Sequence, residues 1–199
     1  MSWLTRRGAA AALAVGLATI WGFGWRGPVL LLAFFVSGSL LTTAAKGGEG
    51  AAQGGKGRNA RQVIANGGIA ALAALAGNWA CFAGAVAAAN ADTWATEIGS
   101  HSPTPPRLIT NWTRVPAGTD GGITVLGTAG GIAGAGLVAG LSYLLGHRSG
   151  VAIAVAGIVG MMVDSLLGAA VQGKVWWMDN DAVNLAATLT GAACAVLIA

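Results

Sequence analysis

The sequence predicts an all-α membrane protein, a single integral membrane domain over residues 1–199 built as a bundle of about seven helices. Apolar residues make up 55% of the 199 positions and charged residues only 9%, whereas soluble domains carry about 25% charged residues. Glycine occurs 33 times, and small residues let membrane helices pack closely. Long apolar runs alternate with short polar segments, which is typical of a polytopic bundle.

Two apolar runs open the chain, at 9–25 and 28–45, and Gly27 with Pro28 between them predicts a tight turn. The first run is interpreted as a retained span, because no convincing signal-peptide cleavage site follows it. The next segment, 46–61, is rich in glycine and charged residues. It is predicted to be a flexible polar loop.

The following apolar stretch, 63–96, is too long for one span. A single helix would be about 51 Å long, well beyond a hydrocarbon core of about 30 Å. Gly77, Asn78 and Trp79 near its middle combine a turn signal with an interfacial aromatic residue. We therefore predict a hairpin whose first arm is short, tilted or re-entrant. The predicted arms and the three further spans are 63–75, 80–96, 123–145, 151–172 and 182–199.

The distribution of basic residues supports this number of helices. With the hairpin, every lysine and arginine except Arg26 and Arg148 falls on one face of the membrane. Without the hairpin, the segments that follow change sides and the bias weakens. Because basic residues accumulate in cytoplasmic loops, we expect that face and the N-terminus to be cytoplasmic and the C-terminus to lie outside.

Acidic residues in or near the spans are the candidate catalytic and metal-binding groups. Asp92 and Glu97 lie where the fourth helix emerges, and Asp164 lies inside a span. Carboxylates within a membrane are costly, so they usually face the protein interior and mark a functional path. Asp92 and Glu97 are about 140° apart on a helix. Both reach one site only if the helix ends near Gly99.

A polar loop at 97–121 is predicted to carry the active site. It ends in a glycine-rich turn at 118–122, here called the glycine turn, which precedes a helix and offers backbone N–H groups to an anion. Arg107 and Arg114 lie upstream and are candidate phosphate-binding cations. The residues of the glycine turn, all predicted to bind phosphate, are Gly118, Thr119, Asp120, Gly121 and Gly122.

Further polar residues of the same face open the third and last helices. Arg58 and Asn59 precede the third helix, while Asn180, Asp181 and Asn184 begin the last one. Arg58, Asn59, Asn180 and Asn184 are candidate nucleotide- or phosphate-binding residues. The oxygen atoms at the start of the last helix, with Asp181 as the candidate metal ligand, suit Mg²⁺, which binds through one or two carboxylates together with substrate phosphates. Helix capping and cytoplasmic anchoring explain the same residues without a binding site.

Six segments of the chain, in order, resemble the membrane family that includes plant phytyl-phosphate kinase. They are RNARQVIANGG (58–68), ADTWATEIG (91–99), PRLIT (106–110), VPAGTDGGIT (115–124), VDSLLGAAVQ (163–172) and DNDAVN (179–184). The resemblance implies a kinase that converts an isoprenoid monophosphate, such as phytyl or geranylgeranyl phosphate, to the diphosphate. CTP is the expected nucleoside triphosphate.

Within that resemblance, each candidate residue takes a role. Asp92 and Asp164 would hold Mg²⁺ with Glu97 or Asp181 assisting, and the glycine turn and the arginines would bind phosphates. The prenyl tail would enter sideways from the lipid bilayer. No nucleic-acid partner is expected, and the sequence does not determine the prenyl chain length or the oligomeric state.

Other functions stay open on the residues alone. An ion-coupled carrier fits acids within the membrane and interrupted helices, with Asp164 as the coupling site, although the sequence shows no internal repeat. A CDP-alcohol phosphotransferase fits less well, because its paired-aspartate motif is absent. A purely structural membrane protein leaves the acids unexplained.

Overall fold

The computed structural model describes residues 3–45 and 57–199, which form seven α-helices and one two-stranded sheet. The helices are α1 (Arg6–Phe23), α2 (Arg26–Ala45), α3 (Ala60–Leu75), α4 (Trp79–Gly99), α5 (Val125–Leu144), α6 (Gly150–Ala170) and α7 (Asn180–Ile198). Strands β1 (Arg107–Leu108) and β2 (Gly122–Ile123) pair antiparallel between α4 and α5. The predicted all-α membrane bundle is confirmed, and α2, α5, α6 and α7 are each long and apolar enough to cross a membrane.

The N-termini of α1 and α3 lie side by side. Most of the predicted flexible loop, 46–61, lies outside the described residues, but its end at Arg58 forms a parallel β-bridge with Leu4. Further along the two helices, Gly22 of α1 approaches the backbone of Ala74 in α3. The two helices therefore run parallel, as the hairpin and the alternation of spans require.

Helices α3 and α4 form the predicted hairpin. Gly77 adopts a φ of +68°, and Asn78 caps the first turn of α4. Trp79, predicted as an interfacial aromatic, packs inside the protein and is only 7% exposed. Its Nε1 donates to Ser142 Oγ at 2.7 Å and its ring stacks on His147. A buried tryptophan is stable where its N–H finds an acceptor.

Helix α4 is the centre of the bundle and contacts α2, α3, α5, α6 and α7. Every residue from 82 to 91 is buried, and most of them are alanines. A Cβ atom added to Gly84 would lie 2.5 Å from the carbonyl oxygen of Gly191 in α7. Such close backbone approach is how small residues hold membrane helices together, and here it packs the first turns of α4 against α7.

One end of the bundle gathers the segments that carry the candidate residues. The helices alternate in direction, so the N-termini of α1, α3, α5 and α7 lie at the same end as the C-termini of α2, α4 and α6. The basic residues described there lead us to expect that this end is cytoplasmic.

Candidate active site

Asp92 of α4 and Asp164 of α6 meet where these two helices pack together. Their side chains are within hydrogen-bonding range of each other, and Asp120 lies close enough to interact electrostatically with Asp164. The Oδ2 atom of Asp164 is buried and has no hydrogen-bond partner among the described residues. A buried polar atom without a partner is costly. This oxygen is therefore an open position for a ligand.

Small residues one turn earlier bring the two helices together. A Cβ atom added to Gly160 would collide with Ala88, and one on Gly157 would lie 3.0 Å from the Cβ of Ala87. Asp92 follows Ala88 by one helical turn, and Asp164 follows Gly160 by one turn. Because α4 and α6 run in the same direction, the contact at Ala88 and Gly160 places the two carboxyl groups opposite each other.

The acid pair opens into a cavity of about 450 Å³. The cavity is bounded by α4, the loop between α4 and α5, the first turn of α5, α6 with the residues that follow it, and the first residue of α7. Met161 and Met162 form part of an apolar wall. The polar lining includes Thr96, Ser102, Thr119, Asp120, Gln172 and Asn180. A polar floor beside an apolar wall suits a ligand with a charged head and a hydrocarbon tail.

The glycine turn closes the cavity by docking on α6. Gly121 adopts a φ of +72°, and a Cβ atom there would lie 2.5 Å from both the Cβ of Ala169 and the carbonyl oxygen of Ser165. The Gly121 carbonyl accepts a hydrogen bond from the Ile109 N–H at 3.0 Å. Only glycine combines this backbone conformation with this close approach. All five predicted residues of the turn line the cavity.

The glycine turn does not open a helix, which corrects the prediction. Gly122 belongs to β2 and pairs with β1. Helix α5 begins only at Val125, where Thr124 caps it by accepting a hydrogen bond from the Gly127 N–H at 2.9 Å. A cap of this kind satisfies part of the helix terminus internally. The turn is therefore a wall of the cavity and not a helix N-terminus.

Glu97 is not brought to the acid pair. It accepts a hydrogen bond of 2.6 Å from Thr42 Oγ1 of α2, and it does not line the cavity. Helix α4 extends through Gly99, so the offset of about 140° between Asp92 and Glu97 is retained. The helix does end at Gly99, as the prediction of a shared site required, but Glu97 lies inside its last turn and is held by Thr42 of α2 instead.

Arg58 lies near Glu97, and the two form what we call the Glu97–Arg58 cluster together with Thr42 and Ser39. Arg58 donates to Ser39 Oγ at 3.1 Å and its guanidinium lies over the Phe35 ring. Burial lowers the pKa of Arg58, while the carboxylate of Glu97 acts in the opposite direction. Each of the two charged groups has a hydrogen-bond partner inside this cluster. Arg58 is absent from the cavity lining.

Asp181 is also kept away from the acid pair. Arg61 binds Asp179 at 2.6 Å and Asp181 at 3.3 Å. Asp179 in addition caps α7, accepting a hydrogen bond from the N–H of Ala182. Asn180, between the two acids, is the residue of this group that lines the cavity.

Four further predicted residues lie outside the cavity lining: Asn59, Arg107, Arg114 and Asn184. Asn59 caps α3 through a reciprocal pair of hydrogen bonds with Gln62. Arg107 donates to a carbonyl oxygen of its own loop at 2.8 Å and forms a β-bridge with Arg114. These residues shape the loop and the helix start in the structure.

A buried polar network beside the acids was not predicted. Asn90 is fully buried, donates from Nδ2 to the Gly134 carbonyl at 2.7 Å and accepts from Ser37 Oγ at 3.3 Å. Ser37 in turn accepts from Trp94 Nε1 at 3.1 Å. The network joins α2, α4 and α5 just before Asp92. A polar residue inside an alanine-rich run was the only signal for it in the sequence.

Comparison of the sequence with known proteins assigns the chain to a family. Residues 1–192 match the family described as integral membrane protein DUF92. An uncharacterized membrane protein of Methanocaldococcus jannaschii is 35% identical, over 98% of this chain and 85% of that protein. No solved structure matches the chain.

Two relatives come from Arabidopsis thaliana. Protein PGR is 33% identical over 75% of this chain, and the chloroplastic Protein VTE6 is 28% identical over 98% of it. The aligned region spans 65% of the length of each plant protein. These matches confirm the family indicated by the six sequence segments: the chain belongs to the DUF92 family of integral membrane proteins.

Proposed function

We propose that this protein is a prenyl-phosphate kinase. It would transfer the terminal phosphoryl group of a nucleoside triphosphate, with CTP as the expected donor, to an isoprenoid monophosphate such as phytyl or geranylgeranyl phosphate. The proposal rests chiefly on the unpartnered Oδ2 of Asp164, beside Asp92, on the wall of a polar cavity at one end of a membrane bundle. The resemblance of six segments to phytyl-phosphate kinase supports this reaction class.

The acid pair fits a bound Mg²⁺ ion. Two carboxylates face each other, and the Oδ2 of Asp164 has no protein partner among the described residues. Within residues 3–45 and 57–199, no three His, Cys, Asp or Glu side chains could by themselves hold a metal ion. Mg²⁺ needs no more than one or two protein carboxylates, because substrate phosphates and water complete its shell. Asp92 and Asp164 would hold the ion, and when bound it would offset the charge of the phosphate oxygens.

The remaining work of the protein is to position two phosphorylated molecules. An oxygen of the prenyl monophosphate forms a bond to the terminal phosphorus of the nucleotide, while the bond from that phosphorus to its bridging oxygen breaks. The products are the prenyl diphosphate and a nucleoside diphosphate. The attacking phosphate oxygen is already ionised near neutral pH, so no strong general base is needed. Thr119, Asn180 and Gln172 line the cavity as hydrogen-bonding groups for the phosphates.

The cavity also suits the hydrocarbon part of the substrate. Met161, Met162 and Ala95 present apolar surface next to the acid pair. Methionine side chains adapt to irregular apolar ligands. A prenyl chain lying against this wall would place its phosphate beside Asp92 and Asp164 while the tail stays between the helices.

The test is phosphoryl transfer by the purified protein from terminally labelled CTP, with Mg²⁺ and a panel of prenyl monophosphates. We expect labelled prenyl diphosphate from the wild type and none above background from the Asp164→Asn variant. Asp179→Asn is the matched control, because it makes the same acid-to-amide change outside the cavity and asparagine caps a helix as well as aspartate does. Wild-type turnover by Asp164→Asn would remove that residue from the site, and absence of product from every donor and acceptor would contradict the kinase.

A further inference from the structure

A second cavity lies at the same end of the bundle, outside the candidate active site. It has a volume of about 570 Å³, and we call it the arginine groove. Its lining consists of Thr5, Arg6, Arg7, Asn59, Ala60 and Arg61. We propose that the arginine groove binds a phosphoryl anion, supplied either by the headgroup of an anionic phospholipid or by a soluble phosphate compound. The proposal does not depend on the kinase function.

The groove holds an excess of positive charge. Arg61 is paired with Asp179 and Asp181, whereas neither Arg6 nor Arg7 forms an ion pair with another described residue. Both of these arginines are exposed in the first turn of α1. The helix dipole already places positive partial charge at that position, so two further cations there are unfavourable unless an anion offsets them.

The chemistry of the lining matches a phosphoryl group. Guanidinium groups present planar forks of N–H donors that bind phosphate oxygens in pairs, and they stay charged at any physiological pH. Three of them border a single groove, together with the capped starts of α1 and α3. Arg61 is held by its two acids, so Arg6 and Arg7 are the groups offered to the anion. A phosphate ester or diester carries the complementary charge and acceptor oxygens.

The shape of the groove is fixed by backbone contacts. The Thr5 N–H donates to the Arg58 carbonyl at 3.1 Å, and the Arg58 N–H donates to the Trp3 carbonyl at 2.9 Å. These bonds clamp the two helix starts together. The arginines of α1 and α3 are therefore held on one surface before any ligand arrives, which lowers the ordering cost of binding.

The surroundings place the groove at the depth of lipid headgroups. Trp3 is partly exposed and packs edge-on against Phe35, and α1 continues from the groove with exposed Leu13 and Leu17. Exposed apolar residues on a membrane helix face lipid, and tryptophan favours the interface. Anionic lipids of the cytoplasmic leaflet attract basic residues at this level.

The experiment measures binding of two probes to the full chain in detergent. One probe is phosphatidylglycerol, with phosphatidylcholine as a zwitterionic comparison of no net charge, and the other is inorganic pyrophosphate. Apparent dissociation constants come from native mass spectrometry for the lipids and from calorimetry for pyrophosphate. The variant is the double substitution Arg6→Gln and Arg7→Gln, and Arg148→Gln, an exposed arginine at the opposite end of the bundle, is the control.

We expect the double variant to bind at least one probe about tenfold or more weakly, while Arg148→Gln binds as the wild type does. Loss for phosphatidylglycerol alone identifies a lipid headgroup, and loss for pyrophosphate alone identifies a soluble phosphate. No binding of either probe by the wild type, or equal loss in the control, would overturn the proposal. The free double variant should unfold no earlier than the wild type, because the change removes like charge from a helix start. The readout is binding and not transfer, so its failure is distinct from failure of the kinase.

Discussion

The two faces of the last turns of α4 carry polar clusters of opposite kinds. On one face, Asp92 meets Asp164 at an open cavity, and one carboxylate oxygen is left without a partner. On the other face, Glu97 is hydrogen-bonded to Thr42, and Arg58 beside it is bonded to Ser39. A satisfied buried network stabilises a fold, whereas an unsatisfied one is kept at a cost. We infer that the first face serves ligand binding and the second holds α2, α3 and α4 together.

The largest expected effect is that of Asp164→Asn on turnover. The substitution replaces the unpartnered carboxylate oxygen, the proposed ligand of Mg²⁺, by part of an amide, so we expect phosphoryl transfer to fall by about 100-fold or more. Stability should be unchanged or slightly higher, because an amide at this position does not repel the nearby acids Asp92 and Asp120. Initial rates and thermal unfolding in detergent measure the two quantities. If Asp164→Asn clearly loses stability but keeps wild-type turnover, the face with Asp92 and Asp164 stabilises the fold and does not bind the ligand.

Gly121→Ala should have the next largest effect. The added Cβ would lie 2.5 Å from atoms of Ala169 and Ser165 at a φ of +72°, so the glycine turn must leave α6. We expect a cost of about 1–3 kcal/mol for overpacking and a rise in KM, because the cavity wall moves.

Gly118→Ala is the matched control for Gly121→Ala. Gly118 also has positive φ, +83°, but a Cβ atom there would have no neighbour within 4 Å. Only the backbone strain, about 1–2 kcal/mol, should remain. Equal effects of the two variants on KM would show that the contact of the glycine turn with α6 does not affect substrate binding.

Glu97→Gln should act mainly on stability. The neutral side chain keeps its place beside Thr42 but loses its charge toward Arg58, and we expect a loss of about 1 kcal/mol in the free energy of unfolding. Turnover should stay near that of the wild type, in contrast to the sequence prediction of a metal-binding role. Chemical denaturation together with the transfer assay distinguishes a stabilising role of Glu97 from a metal-binding role. A fall in turnover comparable to that of Asp164→Asn would show that Glu97 belongs to the active site.

The smallest effect is the energetic coupling between pairs of substitutions, which we compare within one face and across the two faces. Thr42→Val combined with Glu97→Gln should be non-additive by about 0.5 kcal/mol or more, since the two residues share a hydrogen bond. Thr42→Val combined with Asp164→Asn should be additive within about 0.5 kcal/mol. Unfolding free energies of the single and double variants complete both cycles. Strong coupling across the two faces would mean that they are one network.

Much of the fold and the central pair could be predicted from the sequence. Hydropathy and the turn signal at Gly77 predicted the hairpin, because spans have a fixed length and an overlong run must be broken. The approach of Asp92 and Asp164 followed from the cost of carboxylates inside a membrane, which drives them toward the protein interior.

The rest depended on contacts between distant parts of the chain. Helix α4 ends at Gly99, where the sequence allowed a shared site, but Glu97 is hydrogen-bonded to Thr42 of α2, a contact that the local sequence does not show. The docking of Gly121 on α6 joins residues far apart in sequence, and no local pattern encodes it. Arg61 pairs with Asp179 and Asp181 because α3 packs on α7, and a single sequence does not show that packing.

Binding of Mn²⁺, measured by electron paramagnetic resonance in place of Mg²⁺, tests the contrast between the two faces most directly. The purified protein is titrated in the presence of a prenyl monophosphate and a non-hydrolysable CTP analogue. We expect the wild type and Glu97→Gln to bind the ion and Asp164→Asn to lose it by a factor of about 10–100. Undiminished Mn²⁺ binding by Asp164→Asn, or its loss in Glu97→Gln alone, would contradict a metal site at Asp92 and Asp164.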